Sequence, residues 1–431
     1  MTTGRHAYHF TTGRYRRFPG HYRALDERHF RAGPSAITNN LAPAPDVPPV
    51  WAQDLLQVAK AVYLVDKLSR RATAPDRWTR DLTLSVQVIE PERWSDRVEP
   101  LLTALLELLT ADRWTVGFHG GAAALRTVPT RLFEGDPAEE VTLFSGGLDS
   151  TGWVAQRIGV DAGPLLLVSY YEGTLKTRQN QVFAALRRLG ARAVERRQVL
   201  QQVKGFGPPL ELSSRSRGLL YLATAVHVAA AHRVREVAVP ENGQLAVNPP
   251  LTASRLAASS TRSVHPRTLH LLNRLIAAVG GDVTVVNPLV DDTKGDVCRR
   301  ALTAGLPLPT LAETVSCGQP PENRGASRFA QCGCCYPCLI RRSGLLAGTG
   351  RDDTAYRTDV WALPDDADLA RHRRALAAWM SRGFGIRDLT TDVPLPPGAD
   401  PAALLRTVRR GRDEIRQLFE RFAPGTLPAG T

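Results

Sequence analysis

The chain carries Ser145-Gly146-Gly147-Leu148-Asp149-Ser150 directly after the apolar run Val141-Thr142-Leu143-Phe144. A strand that ends in Ser-Gly-Gly and opens into a helix makes an anion cradle. Glycine lets the backbone approach a ligand closely. The free N–H groups of the first helical turn, with the helix dipole, then favour a phosphate. Asp149 and Ser150 add a carboxylate and a hydroxyl to the same turn, and Thr151 follows. No lysine closes the loop, which argues against a Walker-type NTPase. Ser-Gly-Gly-x-x-Ser also occurs in ordinary turns, but the flanking strand and helix favour the cradle.

A second group of residues is built for a metal. Five of the six cysteines, Cys317, Cys332, Cys334, Cys335 and Cys338, fall within 22 residues. Cys332, Cys335 and Cys338 form C-x-x-C-x-x-C, and Cys317 supplies a fourth thiolate. Four thiolates suit a closed tetrahedral Zn²⁺ site. An iron–sulfur cluster takes the same ligands. Cys334 points away from a regular knuckle and is left out. Cys298 falls within a helical pattern and is expected to be buried.

Both groups need a scaffold. From residue 140 the pattern alternates strand and helix, the mark of a parallel sheet with crossover helices. Strands are expected at 141–144, 164–170, 193–197, 236–239 and 283–287. Helices are expected at 149–158, 177–189, 217–233, 266–279 and 291–304. In such a sheet the ligand sits beyond the carboxyl ends of the strands, at the switch point. Helical spacing at 51–68 and 98–109, with strand-like 83–88 and 114–118, makes residues 1–125 a separate α+β module. The first 45 residues show no clear period, and Leu41 to Pro49 is a turn or polyproline segment. The boundary falls near Gly120-Gly121 or Asp136-Pro137. Residues 138–348 form the α/β domain. Residues 349–431 form a helical extension in which no chemistry is legible.

Composition sets the outer limits. A chain of 431 residues suggests two or three domains. The net charge of +13 comes almost wholly from arginine, since only Lys60, Lys67, Lys176, Lys204 and Lys294 are lysines. Much of that charge is expected on solvated helix faces such as 406–412, so nucleic-acid binding is not the favoured use of it. Met1 to His6 is polar and no secretory leader is visible, so a cytoplasmic location is expected.

The loop resembles that of the ATP-pyrophosphatase (PP-loop) superfamily, whose members cleave ATP between the α- and β-phosphates. With Thr-Val-Ser-Cys317 and C-G-x-C-x-x-C-x-x-R downstream, residues 141 to about 348 resemble QueC, the 7-cyano-7-deazaguanine synthases. The resemblance implies a parallel PP-loop fold, ATP on Phe144 to Thr151 and Zn²⁺ on Cys317, Cys332, Cys335 and Cys338. It also implies Mg²⁺ held by Asp149, an adenylated deazaguanine carboxylate, and a homodimer. Lys294 corresponds to the family's Thr-Lys pair and Arg217 to an arginine on the adenosine side. Either would neutralise developing charge, or be a plain rim cation. Tyr171, Glu241, Asn242, Arg262 and His265 fall at the expected substrate side. His265, before Pro266, suits either a base contact or a structural role.

The sequence departs from the family at Gly218, where asparagine is usual, and at Ser263 and Arg267, where acidic residues are usual. Its length and N-terminal module look more like the long QatC-type members of antiphage defence systems. That resemblance implies a partner protein's amine as acceptor.

Overall fold

The computed structural model describes residues 5–12, 21–31, 44–94, 97–125, 137–205, 209–251, 262–319 and 331–427. The proposed boundary residue Asp136, the start of the 41–49 segment, and Ser260 and Thr261, which precede Arg262 and Ser263, lie outside them.

The N-terminal part contains β1 (Arg5–Phe10), β2 (Arg23–Leu25), α1 (Val50–Leu68), β3 (Asp81–Gln87), α2 (Glu99–Thr110) and β4 (Arg113–His119). Its strands lie in the order β2-β1-β3-β4, all parallel. Alternation sorts the side chains. Tyr8, Phe10, Leu82, Leu84, Val86, Trp114 and Val116 are buried on one face, under α1 and α2. β1 and β2 were not legible beforehand. They are short and rich in His and Arg, so little apolar signal marks them.

The second part alternates as expected. It runs β5 (Glu140–Leu143), α3 (Leu148–Ile158), β6 (Leu165–Tyr170), α4 (Lys176–Arg187), β7 (Val194–Val199), α5 (Arg217–Ala231) and β8 (Glu236–Ala238). It continues through α6 (Gly243–Val247), α7 (Pro266–Ala278), β9 (Thr284–Val286), α8 (Lys294–Thr303), α9 (Leu308–Glu313) and α10 (Tyr336–Thr349). The sheet is parallel with order β7-β6-β5-β8-β9. The order reverses direction between β5 and β8, which places the switch point beside the Ser145–Ser150 loop. α11 (Arg371–Met380), α12 (Ile386–Thr390) and α13 (Pro401–Phe422) follow, and α13 packs on α10, α6 and α8.

The two sheets face each other across a double layer of helices. α1 packs on α5 and α2 on α7, while α5 and α7 also cover the second sheet. This arrangement explains α5. A helix apolar all round must be buried on every side, and only its N-terminal half, from Arg217 to Thr224, reaches the cleft. One hydrophobic core therefore runs from Tyr8 to Val285 without a break. Buried ions cross the same boundary. Arg80, with no exposed side-chain area, pairs with both Asp66 and Asp112. The second oxygen of Asp66 accepts from the N–H of Ser216 at 3.0 Å and from its hydroxyl at 2.7 Å. Arg215 donates to the Thr110 carbonyl at 3.0 Å. The N-terminal half thus fixes the segment that leads into Arg217.

Candidate active site and metal centre

The Ser145–Ser150 loop turns because Gly146 adopts φ +72°, the left-handed region. A β-carbon there would lie 3.0 Å from Gln179 Cγ. Gln179 in turn donates to the Ser145 carbonyl at 2.9 Å. Gly147 caps α3, and its N–H donates to Ser145 Oγ at 3.1 Å. Ser145 and Ser150 hydroxyls meet at 3.2 Å, so both point into the turn. The N–H of Val315 donates to the Gly146 carbonyl at 3.3 Å. The loop is therefore braced from α4 on one side and from the segment before Cys317 on the other.

Asp149 lies in the first turn of α3 and is buried. Its Oδ2 accepts from Lys294 Nζ at 2.6 Å and from Asn242 Nδ2 at 2.9 Å. Its Oδ1 is buried and accepts from no N–H or hydroxyl group among the described residues, and the Glu241 carboxyl is its acidic neighbour. Burial alone would push this carboxyl up, but the Lys294 charge and the hydrogen bonds from its neighbours hold it below the usual range. Glu241 Oε1 stands 4.0 Å from Lys294 Nζ. Burial and the Asp149 charge push Glu241 well above the usual range, and Lys294 offsets this only in part. One ammonium and two acidic side chains thus meet beside the cradle.

A cleft of about 260 Å³ opens over the ends of β5, β6 and β8. Phe144, Ser145, Ser150, Arg217 and Glu241 line it. Tyr170 and Tyr221 stack on its wall with ring centroids 4.8 Å apart, and Arg217 lies over the Tyr221 ring. Ser263 packs so closely on Gly218 that a β-carbon at 218 would lie 1.9 Å from its hydroxyl. Two of the positions that depart from the family are thus in contact, on the cleft wall.

Other expected substrate residues face elsewhere. Arg262 pairs with Asp392 at 2.8 Å and donates to the Leu108 carbonyl at 3.0 Å, so its guanidinium ties three parts of the chain together. His265 is buried and caps α7, its Nδ1 accepting the N–H of Arg267 at 3.1 Å. Burial, then the Arg262 charge, push its pKa down to about 4, which keeps that acceptor free of a proton. Tyr171 follows the strand end and is half-buried; its neighbour Tyr170 lines the cleft instead. Asn242 caps α6 while tethering Asp149. Glu241 alone of this group lines the cleft.

The four cysteines converge. The sulfurs of Cys317, Cys332, Cys335 and Cys338 all lie within 4.8 Å of one another. Cys317 and Cys335 are 4.0 Å apart, and Cys332 and Cys338 3.8 Å apart. A tetrahedron with metal–sulfur bonds of about 2.3 Å has edges of about 3.8 Å. The donor set and its spacing fit one zinc ion. Gly333, at φ +83°, makes the knuckle, because a β-carbon would meet the Thr358 carbonyl at 2.2 Å. N–H groups of Cys335 and Gly318 donate to the sulfurs of Cys332 and Cys335. Cys335 also caps α10, whose dipole favours thiolates. Cys334 stays outside the group of four, its thiol pushed up to about 11 by burial and by Cys332.

The arginine that ends the cysteine motif, Arg341, is fully buried. It donates to Thr314 Oγ1 at 2.6 Å and to the Leu311 carbonyl. It therefore clamps the segment whose Val315 braces the loop.

A parallel sheet of this order, with Ser-Gly-Gly-x-Asp-Ser at its switch point, defines a PP-loop α/β fold. Residues 264–348, about one fifth of the chain, match the family model described as queuosine biosynthesis protein QueC. The matched stretch contains Lys294 and the four converging cysteines. It supports a QueC-like, ATP-using, deazaguanine-related activity. No curated protein matches the chain. Among the described residues, no helix is long and apolar enough to cross a membrane.

Proposed function

We propose that this protein is an ATP-dependent ligase that adenylates the carboxylate of 7-carboxy-7-deazaguanine, or a close analogue, and passes the acyl group to an amine. The observation that carries this reading is Asp149. It sits in the first turn of an anion cradle, with Lys294 on one oxygen and no N–H or hydroxyl donor on the other among the described residues. Mg²⁺ is commonly bound by one or two carboxylates together with substrate phosphates. Asp149 would hold that ion, which supplies charge neutralisation to the triphosphate. The loop N–H groups, Ser145 and Ser150 would hold the pyrophosphate, and Lys294 and Arg217 would stabilise its growing charge. The substrate carboxylate oxygen bonds to the α-phosphorus as the bond to pyrophosphate breaks. The amine nitrogen then bonds to the acyl carbon, AMP departs with the former carboxylate oxygen, and the amine loses a proton.

Zn²⁺ on the four cysteines is structural in this reading. The acceptor is the amine of a partner protein in an antiphage defence system. Two features support that choice. The cleft wall is reshaped at Gly218 and Ser263, and an N-terminal half is built into the fold.

Gly146→Ala tests the cradle. A left-handed alanine costs about 1–2 kcal/mol, and Gln179 leaves its methyl little room. ATP affinity, measured by calorimetry, should fall about tenfold while the melting transition stays cooperative.

The decisive experiment incubates the protein with ATP, Mg²⁺ and 7-carboxy-7-deazaguanine, with and without its genomic neighbours. Every product is then weighed. AMP with a mass-shifted neighbour is the expected result. A nitrile would assign the housekeeping reaction instead, and absence of AMP would overturn the ligase reading.

A further inference from the structure

The C-terminal extension showed no chemistry in its sequence, yet it reaches the active-site cation. Glu414 lies on the inner face of α13 and is buried. Its carboxylate accepts from the Thr293 hydroxyl and, at 3.1 Å, from the N–H of Gly295. These two residues flank Lys294 on either side. Thr293 is also the cap of α8, and its hydroxyl accepts the N–H of Asp296 at 3.1 Å. Gly295 lets the carboxylate approach this closely, since a β-carbon would lie 2.4 Å from Glu414 Oε1 and displace it. Gly344 of α10 closes the other side, its missing β-carbon leaving space for the Lys294 stem.

We infer that Glu414 is a positioning residue: it locks the first turn of α8 so that the Lys294 ammonium is delivered onto Asp149 in the cradle. The physical argument is local. A helix N-terminus has N–H groups without helical partners, and a carboxylate there is favoured by the dipole. Most helices take that carboxylate from their own first turn, and α8 has Asp296 for the purpose. Glu414 adds a second one from 119 residues away, on the backbone N–H next to Lys294. Without it, a buried donor pair is left unsatisfied and the turn shifts to reach water. Burial pushes the Glu414 carboxyl up to about 7, against the hydrogen bonds from Thr293 and Gly295, so its placement carries a cost that the fold meets.

The catalytic consequence rests on the ligase reading; the geometric one does not. The test therefore reads Lys294 directly. The chain has five lysines, so labelling by an amine-reactive reagent can be followed residue by residue by mass spectrometry. Lys294 is almost fully buried and should label slowly. In Glu414→Ala its labelling rate should rise at least fivefold relative to Lys176. Glu414→Gln, which keeps one acceptor, should give a smaller rise. Ile415→Ala, a core truncation one residue along, serves as the packing control and should leave the ratio unchanged.

Under the ligase reading, Glu414→Ala should also lower kcat for AMP formation more than tenfold with little change in KM, and Glu414→Gln should restore part of it. An unchanged Lys294 ratio in both Glu414 variants, or an equal rise in Ile415→Ala, would overturn the inference. A raised ratio in a protein that makes no AMP would uphold it and sink the ligase reading alone.

Discussion

Asp149→Asn is expected to give a folded protein whose conversion of ATP to AMP and pyrophosphate is about a hundredfold to a thousandfold slower, the range seen when one preorganised charge is removed from a transition state. The fold survives for a reason visible in the site. Asparagine keeps the shape, but it removes the counter-charge of a lysine whose side chain is only 4% exposed. Glu241 stands by, 4.0 Å from the same ammonium. Burial and the Asp149 charge push its carboxyl well above the usual range. Removing that charge removes one cause of the upward shift and leaves Glu241 as the acidic side chain within reach of Lys294. The double variant Asp149→Asn, Glu241→Gln has no such reserve. It should lose a further 3–5 kcal/mol or so, the usual cost of stranding a buried charge. Denaturant unfolding of the wild type and the two variants measures this. Equal stability of the single and double variants would refute the reserve role of Glu241. Full turnover in Asp149→Asn would refute the assignment of Asp149.

Loss of the metal is the second large effect. The purified protein should hold about one zinc per chain, and Cys332→Ser should hold none. Structural zinc contributes on the order of 10 kcal/mol to small sites, so the region around α10 should melt separately and early. ATP affinity should fall as well. The chain runs from Val315, which braces Gly146, directly to Cys317, while Arg341 grips Thr314 from three residues beyond Cys338. A Cys317 no longer tied to the metal loosens that brace. Cys334→Ser should keep its zinc, because its sulfur is not one of the four that converge. Iron with visible absorbance would overturn the zinc assignment, and metal-free Cys332→Ser with unaltered ATP binding would overturn the coupling.

Much of this was legible because the signals were local. The alternation from residue 140 placed the strands of the second sheet to within a few residues. The loop and the cysteine spacing are short-range patterns whose geometry follows from a few bonds. What stayed hidden depended on distance. Glu414 looks like any charged residue on an Arg-rich helix, and only packing shows that it faces inward. His265 and Arg262 carry types that suit a base or an anion, but the nearest claims on them were an N–H and Asp392. Sequence cannot rank such claims. Tyr170 and Tyr171 differ only by the strand's two-residue period, so a slip of one exchanged them. The parallel course of β1 to β4 was equally invisible, since pairing direction depends on long connections rather than on the strands.

The helical double layer also sets how this protein is built and how it fails. α5 presents Arg217 to the cleft, yet its shaft is gripped by α1 and its entry held by Asp66. A fragment beginning at residue 138 would carry the loop and all four thiolates, but it would bare the apolar backs of α5 and α7 to water. It would be sticky, and its cleft wall would be unmoored. The N-terminal half is thus the second half of a clamshell hinge plate: damage far from the cradle, at Asp66 or Arg80, reaches the nucleotide side through one stiff rod.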